Sequence, residues 1–336
     1  LERFQRWYEQ SGTPRVDIKR DYDSDKGVLS LKVSQRAGTT KGELNRAFHM
    51  PMRLALFDQQ GQAVALDDIG TLEQIVDIRE PETELRFQHM PSQVMISAFR
   101  GFSAPIILTT DLGDDELARL MVFDSDPFNR WEAGQQLASR VMLAMLEREA
   151  GQWPQLQQPL LTAFGDVFAR SPMDRALVAE MMVLPGEKYI TEMLDQVDVH
   201  RIRTVREALK LQIAAHNEDQ LLKHYLDCVD NGEYRLDPDA IASRRLKNNC
   251  LAYLLHLEKP EYFKHCKQQF TQAGNMTDQI ACLQMVVHYH HDLRDQIVNQ
   301  FYQQWKDTAL VVDKWFSVLG SSSVENALDE IKPLFN

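Results

Sequence analysis

Two hydrophobic periods divide the chain. From residue 15 to about residue 111 apolar and polar positions alternate. Leu29, Leu31 and Val33 oppose Ser30 and Lys32, and Met52, Leu54 and Leu56 run up to a turn at Asp58-Gln59-Gln60-Gly61. Leu85 with Phe87, then Val94, Ile96 and Ala98, continue the alternation. Successive strand side chains point to opposite faces, so this spacing predicts roughly seven antiparallel strands in a small Ig-like β-sandwich. Asp23-Ser-Asp-Lys-Gly27 supplies a hairpin turn; its acidic residues lack the spacing of a calcium-binding loop. From residue 112 the period becomes helical. Asp126-Pro127 and Asp237-Pro238 each offer an N-cap followed by proline at the first helical position, and Asp198 caps another helix. Ile202, Val205, Leu209 and Ile213 form one apolar stripe; Ala242, Leu246, Cys250 and Leu254 form a second. Many helices with short polar links and no strict repeat predict an all-α, solenoid-like (ARM/HEAT-like) array.

Ahead of the sandwich, Leu1, Phe4, Trp7 and Tyr8 share one helix face. That helix is expected to stop at Ser11-Gly12-Thr13-Pro14, where glycine permits a left-handed exit and proline forbids continuation. With no initiator Met and an apolar helix face already present at residue 1, the chain reads as part of something longer. The expected layout is residues 1–13 as the end of a preceding domain, 14–111 as sandwich and 112–336 as helical domain.

Composition narrows the function. The net charge of −12 opposes general nucleic-acid binding, which needs clustered Lys and Arg. Up to Asp111 there are 14 basic and 16 acidic residues, so −10 of that charge falls on the helical part. No apolar run approaches the ~18 residues of a membrane span. Cys228, Cys250, Cys266 and Cys282 are scattered without a C-x-x-C pair, which points to free thiols in a reducing, cytoplasmic setting.

Catalytic motifs are missing: H-E-x-x-H, G-x-S-x-G, phosphate-binding loop and dinucleotide fingerprint are all absent from the sequence. The one run with metal-ligand chemistry is His288-Tyr-His-His-Asp292, in which His288, His291 and Asp292 would share one side of a helix. A polar helix face with exposed histidines is the competing reading and the one adopted, so no metal or catalytic residue is assigned. Cys250 and Cys282 sit among apolar residues as core side chains. Asn275-Met276-Thr277 reads as a helix start capped by Thr277, with Asp278 complementing the dipole. Arg201, Arg203 and Arg206, and again Arg244, Arg245 and Lys247, are basic clusters able to meet an anion or another domain, against a default of solvated or ion-paired faces. Trp131, Trp305 and Trp315 read as core or interdomain anchors.

Several strings, taken in order, resemble the bacterial alanyl aminopeptidases (aminopeptidase N) of the M1 zinc metallopeptidases. They are Phe4-Gln-Arg-Trp7-Tyr8-Glu-Gln10-Ser-Gly-Thr-Pro14, Phe102-Ser-Ala-Pro105, Asp126-Pro-Phe-Asn-Arg-Trp131-Glu-Ala133, Arg244-Arg-Leu-Lys-Asn248, Asn275-Met-Thr-Asp278 and Asp313-Lys-Trp-Phe316. The resemblance implies the last helix of a thermolysin-like zinc domain, then a sandwich, then most of a helical domain. It also implies that the zinc ligands, general-base Glu, G-A-M-E-N segment and transition-state Tyr all precede Leu1. No zinc site is therefore expected here, and zinc belongs to the parent. The implied role is non-catalytic: a sandwich spacer and a helical lid that limits the active-site chamber to short peptides. Trp7 and Tyr8 are expected to pin the spacer to the catalytic domain, the chain's main partner beside peptide substrates. The alternative is a stand-alone protein-interaction scaffold with a helical solenoid.

Overall fold

The structure, a computed structural model, describes residues 2–38, 46–90, 93–170, 173–230, 232–289 and 292–335. A short helix α1 (Glu2–Glu9) precedes eight strands: β1 (Arg15–Asp23), β2 (Val28–Arg36), β3 (Met50–Phe57), β4 (Ala63–Val64), β5 (Glu73–Ile78), β6 (Glu82–Phe87), β7 (Met95–Ala98) and β8 (Ile107–Thr110). Helices follow: α2 (Asp114–Phe123), α3 (Pro127–Leu146), α4 (Trp153–Ala169), α5 (Arg175–Met181), α6 (Glu187–Thr191), α7 (Val199–His216), α8 (Glu218–Asp227), α9 (Pro238–Leu255), α10 (Pro260–Gln272), α11 (Met276–Val286), α12 (Asp292–Trp305), α13 (Ala309–Gly320) and α14 (Ala327–Ile331). The secondary structure thus changes character between Thr110 and Asp114. By contacts, however, the chain groups into one compact unit of residues 1–167 and 184–197 and a second of 168–183 and 198–336.

In the first unit one sheet has the order β6-β2-β1-β8. The β1–β2 hairpin turns where expected, with Asp23 Oδ1 accepting from the amides of Asp25 and Lys26. Every pair in that sheet is antiparallel except β1 with β8, which run parallel and bring the end of the sandwich beside its beginning. In the other sheet β3 carries β4 and β5 along one edge and β7 along the opposite edge. The inner faces meet in a core that includes Ile18, Leu29, Leu31, Met50, Met52, Leu54, Leu56 and Ile78. The alternation predicted for β7 is absent because all four of its residues are buried: α2 packs on this strand and removes its polar face. At the entrance, Gly12 has φ +78°, and a Cβ there would fall 2.2 Å from the Gly38 carbonyl oxygen. Only glycine suits such a backbone crossing.

In the second unit α8 packs on α9, α10 on α11, α11 on α12 and α12 on α13. Aspartate caps start these helices as the sequence predicts: Asp198 accepts from the Arg201 amide and Asp237 from the Ala240 amide, each at 2.9 Å. Helix α9 touches α5, α7, α8, α10 and α11, so even its polar Lys247 and Asn248 are buried. Their partner is Asp278. Lys247 Nζ donates to its Oδ2 at 2.7 Å and Asn248 Nδ2 to its Oδ1 at 3.0 Å, while Gln269 Nε2 donates to Asn248 Oδ1 at 2.7 Å. Here one sequence expectation is corrected. The cap of α11 is Asn275, whose side chain accepts from the Asp278 amide at 2.9 Å, and Thr277 lies inside the first turn. A cap must have extended backbone, and Asn275 has it (φ −150°, ψ 153°).

Removing one partner of a buried pair strands the other charge, so Asp278→Ala should cost about 3–5 kcal/mol. The double variant Lys247→Met/Asp278→Leu should recover most of that loss. Urea unfolding followed by far-UV circular dichroism checks both, and equal losses in the two variants would show that the pair is not the source.

Candidate functional site

One constellation of charge among the described residues lies in the first unit, where the sandwich meets α2 and α3. It begins with a backbone irregularity. After β7, Phe99 (φ 55°), Gly101 (φ 62°) and Phe102 (φ 55°) all adopt left-handed conformations. Such geometry costs a non-glycine residue of order 1–3 kcal/mol. It turns Arg100, only 4% exposed, inward between the sheet and the helices. There Nε donates to Glu73 at 2.7 Å, Nη1 to Asp124 at 2.7 Å and to Ser97 at 3.1 Å, and Nη2 to Ser125 at 2.7 Å. A planar guanidinium with five N–H donors suits this many-sided role. Arg53 of β3 also pairs with Glu73. A Cβ on Gly101 would come within 2.9 Å of Arg53 Nη1.

The helix side is built to match. Asp126 caps α3 through the Asn129 amide at 2.9 Å, and Asn129 Nδ2 returns to Ser97 Oγ at 2.8 Å and the Ala98 carbonyl at 3.0 Å. Burial pushes the Asp124 carboxyl above its usual pKa, although Ser97, the Asp126 amide and the Arg100 charge pull the other way. For Glu73, burial is outweighed by the hydrogen bonds and charges of Arg53 and Arg100, which hold its pKa below the usual value. Outside this network Phe102, Phe128 and Trp131 form a partly open aromatic row, with ring centres 5.2 and 5.8 Å apart. The strings Phe102–Pro105 and Asp126–Ala133 thus meet in one place.

A second clamp sits nearby. Arg20 of β1 donates to Asp111 Oδ1 at 2.8 Å, to Glu116 Oε1 and Oε2 at 2.5 and 2.8 Å, and to the Val94 carbonyl at 2.8 Å. A cavity of about 430 Å³ opens beside it, lined among others by Tyr22, Leu29, Gln59 and Gln93. These charged groups engage one another and form no nucleophile–base pair.

The residues singled out in the sequence are dispersed. Trp7 packs on Phe48 with ring centres 4.7 Å apart and donates Nε1–H to the His49 carbonyl at 3.2 Å, so it fastens α1 to the segment leading into β3. Tyr8 is 82% exposed and meets only Phe4 edge-on among the described rings, at 5.8 Å. The His288 run is corrected. It is not one helix: α11 ends at Val286 and α12 begins at Asp292. His288 and Asp292 therefore belong to different elements, and His291 lies outside the described residues. Among the described residues no three His, Cys, Asp or Glu are arranged to hold a metal ion. All four cysteines are free and buried, and burial pushes the Cys250 thiol far up. Trp315 is core and donates to the Val298 carbonyl at 3.1 Å; Trp305 donates to Gln279 at 2.9 Å. Sequence reasoning missed Arg100 and Asp124. Their only signal was a charge closing an apolar run, Met95–Phe99 for Arg100 and Leu120–Phe123 for Asp124, which surface residues share.

The chain thus combines an Ig-like sandwich with stacked helices, with buried charge paired internally around Arg100 and Lys247. Residues 12–111 match the family profile described as a domain of unknown function (DUF3458) with an Ig-like fold, and residues 114–336 match its companion (DUF3458_C), described as ARM repeats. The chain belongs to this family and corresponds to the C-terminal part of an M1 aminopeptidase. It is 32% identical over 337 residues to aminopeptidase N of Escherichia coli (strain K12), covering 99% of this chain and 39% of that protein. For aminopeptidase N of Caulobacter vibrioides the identity is 31% over 333 residues, covering 98% and 38%. The chain therefore spans well under half the length of these relatives. The crystal structure of Legionella pneumophila aminopeptidase A in complex with aspartic acid shares the fold, with a TM-score of 0.84 at 22% identity, over 100% of this chain and 39% of that one.

The Arg20 clamp generates a pH signature. Burial opposes the Glu116 charge, but the Arg20 hydrogen bonds and the Gly113 amide outweigh it and hold its pKa below 4.5. A depressed carboxylate contributes stability above its unfolded pKa and loses it as pH falls through the folded value. Glu116→Gln should lower the urea midpoint at neutral pH and flatten its fall between about pH 5 and 3. An unchanged acid slope would remove Glu116 from the account.

Proposed function

We propose that this chain is the non-catalytic C-terminal region of a zinc aminopeptidase that trims N-terminal residues from peptides. In this reading residues 1–13 join it to the catalytic domain, 14–111 act as a spacer, and 112–336 form a lid restricting the active-site chamber to short peptides. The supporting observation is the match to aminopeptidases along nearly the whole chain but only 39% of their length, in a sequence with no H-E-x-x-H. Zinc, which would polarise the scissile carbonyl in the parent, is held on this reading by the part of the enzyme these residues do not match. The exposed Tyr8 and Phe4, and the Phe102–Phe128–Trp131 row, are the surfaces offered to that partner domain. Aromatic side chains suit such contacts because they bury much area at small entropic cost. Four free, buried thiols accord with a cytoplasmic enzyme.

The test has two stages. The purified chain alone should retain no zinc after dialysis and leave an alanyl fluorogenic substrate intact. Fused in place of the corresponding region of E. coli aminopeptidase N, it should support hydrolysis of tripeptides while sparing unfolded polypeptides. Zinc and turnover in the chain alone would overturn the reading, and indiscriminate cleavage by the fusion would overturn the lid.

A further inference from the structure

The cavity of about 430 Å³ beside Arg20 has no part in the spacer-and-lid reading, yet its size is that of a small-molecule pocket. Its walls are built from elements of the first unit. Arg20 and Tyr22 stand two residues apart on β1 and so share a face of the strand, and Tyr22 pairs in register with Leu29 of β2. Tyr22 Oη donates to the Met90 carbonyl at 3.0 Å, which fixes the ring. Leu29 is 1% exposed and Val94 4%, so together with that ring they supply an apolar wall. The polar lining comes from Gln59 in the β3–β4 turn, Gln93, Asp111 after β8 and Glu116 on α2.

The lining chemistry favours one sign of ligand. All five N–H groups of Arg20 are taken: Nε by Asp111 Oδ1, Nη1 by Glu116 Oε1 and the Val94 carbonyl, and Nη2 by Glu116 Oε2 and the Asp111 carbonyl. An anion would meet two carboxylates and no free guanidinium donor. Acceptors, by contrast, are in surplus. A carboxylate offers about four lone-pair positions. The Asp111 side chain accepts two hydrogen bonds and that of Glu116 three. These side chains are 35% and 19% exposed, so their spare positions are open to a ligand. Among the described lining residues one cation thus faces two anions. Arg119 of α2 does not redress this, because it donates to the Gln59 carbonyl in the turn that also carries Asp58. The Gln59 and Gln93 carboxamides have no hydrogen-bond partner among the described residues.

We propose that this cavity binds a small organic monocation, an alkylammonium or an alkylguanidinium. Its hydrocarbon stem lies along Tyr22, Leu29 and Val94, and its N–H groups reach the spare lone pairs of Asp111 and Glu116 and the two free carboxamides. An aromatic face attracts a cation within about 6 Å, and partial burial strengthens the pull of the carboxylates. Two sources present this chemistry: a free amine or guanidine, and the lysine or arginine side chain of a peptide.

The experiment is NMR of the whole chain with ¹⁵N-labelled glutamine side chains. It is titrated with n-butylguanidinium and n-butylammonium, with n-butanol and pentanoate as neutral and anionic counterparts, each against sodium chloride of equal ionic strength. The Gln59 and Gln93 side-chain signals should move saturably with both cations, and at least about fivefold more weakly with butanol or pentanoate. N-acetyl-arginine methylamide separates the sources. Binding as tight as that of butylguanidinium assigns the site to a basic peptide side chain, and no binding assigns it to a free cation. Asp111→Asn should weaken both cations about fivefold or more, whereas Gln93→Glu, which adds a carboxylate at an exposed position of the lining, should tighten them several-fold. Equal shifts with butanol, pentanoate or sodium chloride, no saturable shift with either cation, or a Gln93→Glu variant that binds more weakly would each overturn the proposal.

Discussion

A guanidinium placed where no water can reach it dictates much around it. Arg100 lies inside the first unit with its side chain 5% exposed, opposite an Asp124 side chain with no exposure. Unpaired, either charge would cost several kcal/mol in desolvation, so each must find fixed partners. Glu73 comes from β5, Ser97 from β7, and Asp124 and Ser125 from the link between α2 and α3. One side chain thereby sets the height at which α3 leaves the sandwich. The left-handed backbone at Phe99, Gly101 and Phe102 follows from the same demand, because it is what turns the arginine inward instead of continuing β7.

The division into a period-two and a helical half was legible, as were the Asp126, Asp198 and Asp237 caps, since each is written in side-chain spacing a few residues long. What was not legible depended on contacts between distant segments. β7 was expected to alternate and is wholly buried, because α2 covers its second face. Asn275-Met-Thr277 offers two capping side chains two residues apart, and only the backbone of Asn275 decides between them. His288 and Asp292 fit one helix by count, yet α11 has ended by Val286. Arg100 and Lys247 looked like surface charge, because nothing local announces that Asp124 or Asp278 will be waiting.

The strings on which the family resemblance rests fall where these distant contacts are made. Phe102–Pro105 meets Asp126–Ala133 at the Arg100 network, and Arg244–Asn248 meets Asn275–Asp278 around Lys247. Trp7 and Gln10 of the first string hold α1 to the segment before β3: Gln10 exchanges two hydrogen bonds with the Arg46 backbone. A residue that must cap a helix, satisfy a buried charge and fit a fixed gap has few substitutes. An apolar core position has many, because volume and hydrophobicity are its main demands. Short polar strings can therefore announce a framework more sharply than its larger hydrophobic core.

The same reasoning bears on why the chain should contain expensive buried charge. Replacing ion pairs of this kind by well-packed apolar side chains is often neutral or stabilising, so stability alone does not account for them. What they add is direction. Hydrophobic burial is nearly indifferent to a rotation of one element over another, whereas the hydrogen bonds of Arg100 and Asp278 are broken by shifts of about an ångström. Directional bonds of this kind lock the places where Arg100 and Lys247 are buried.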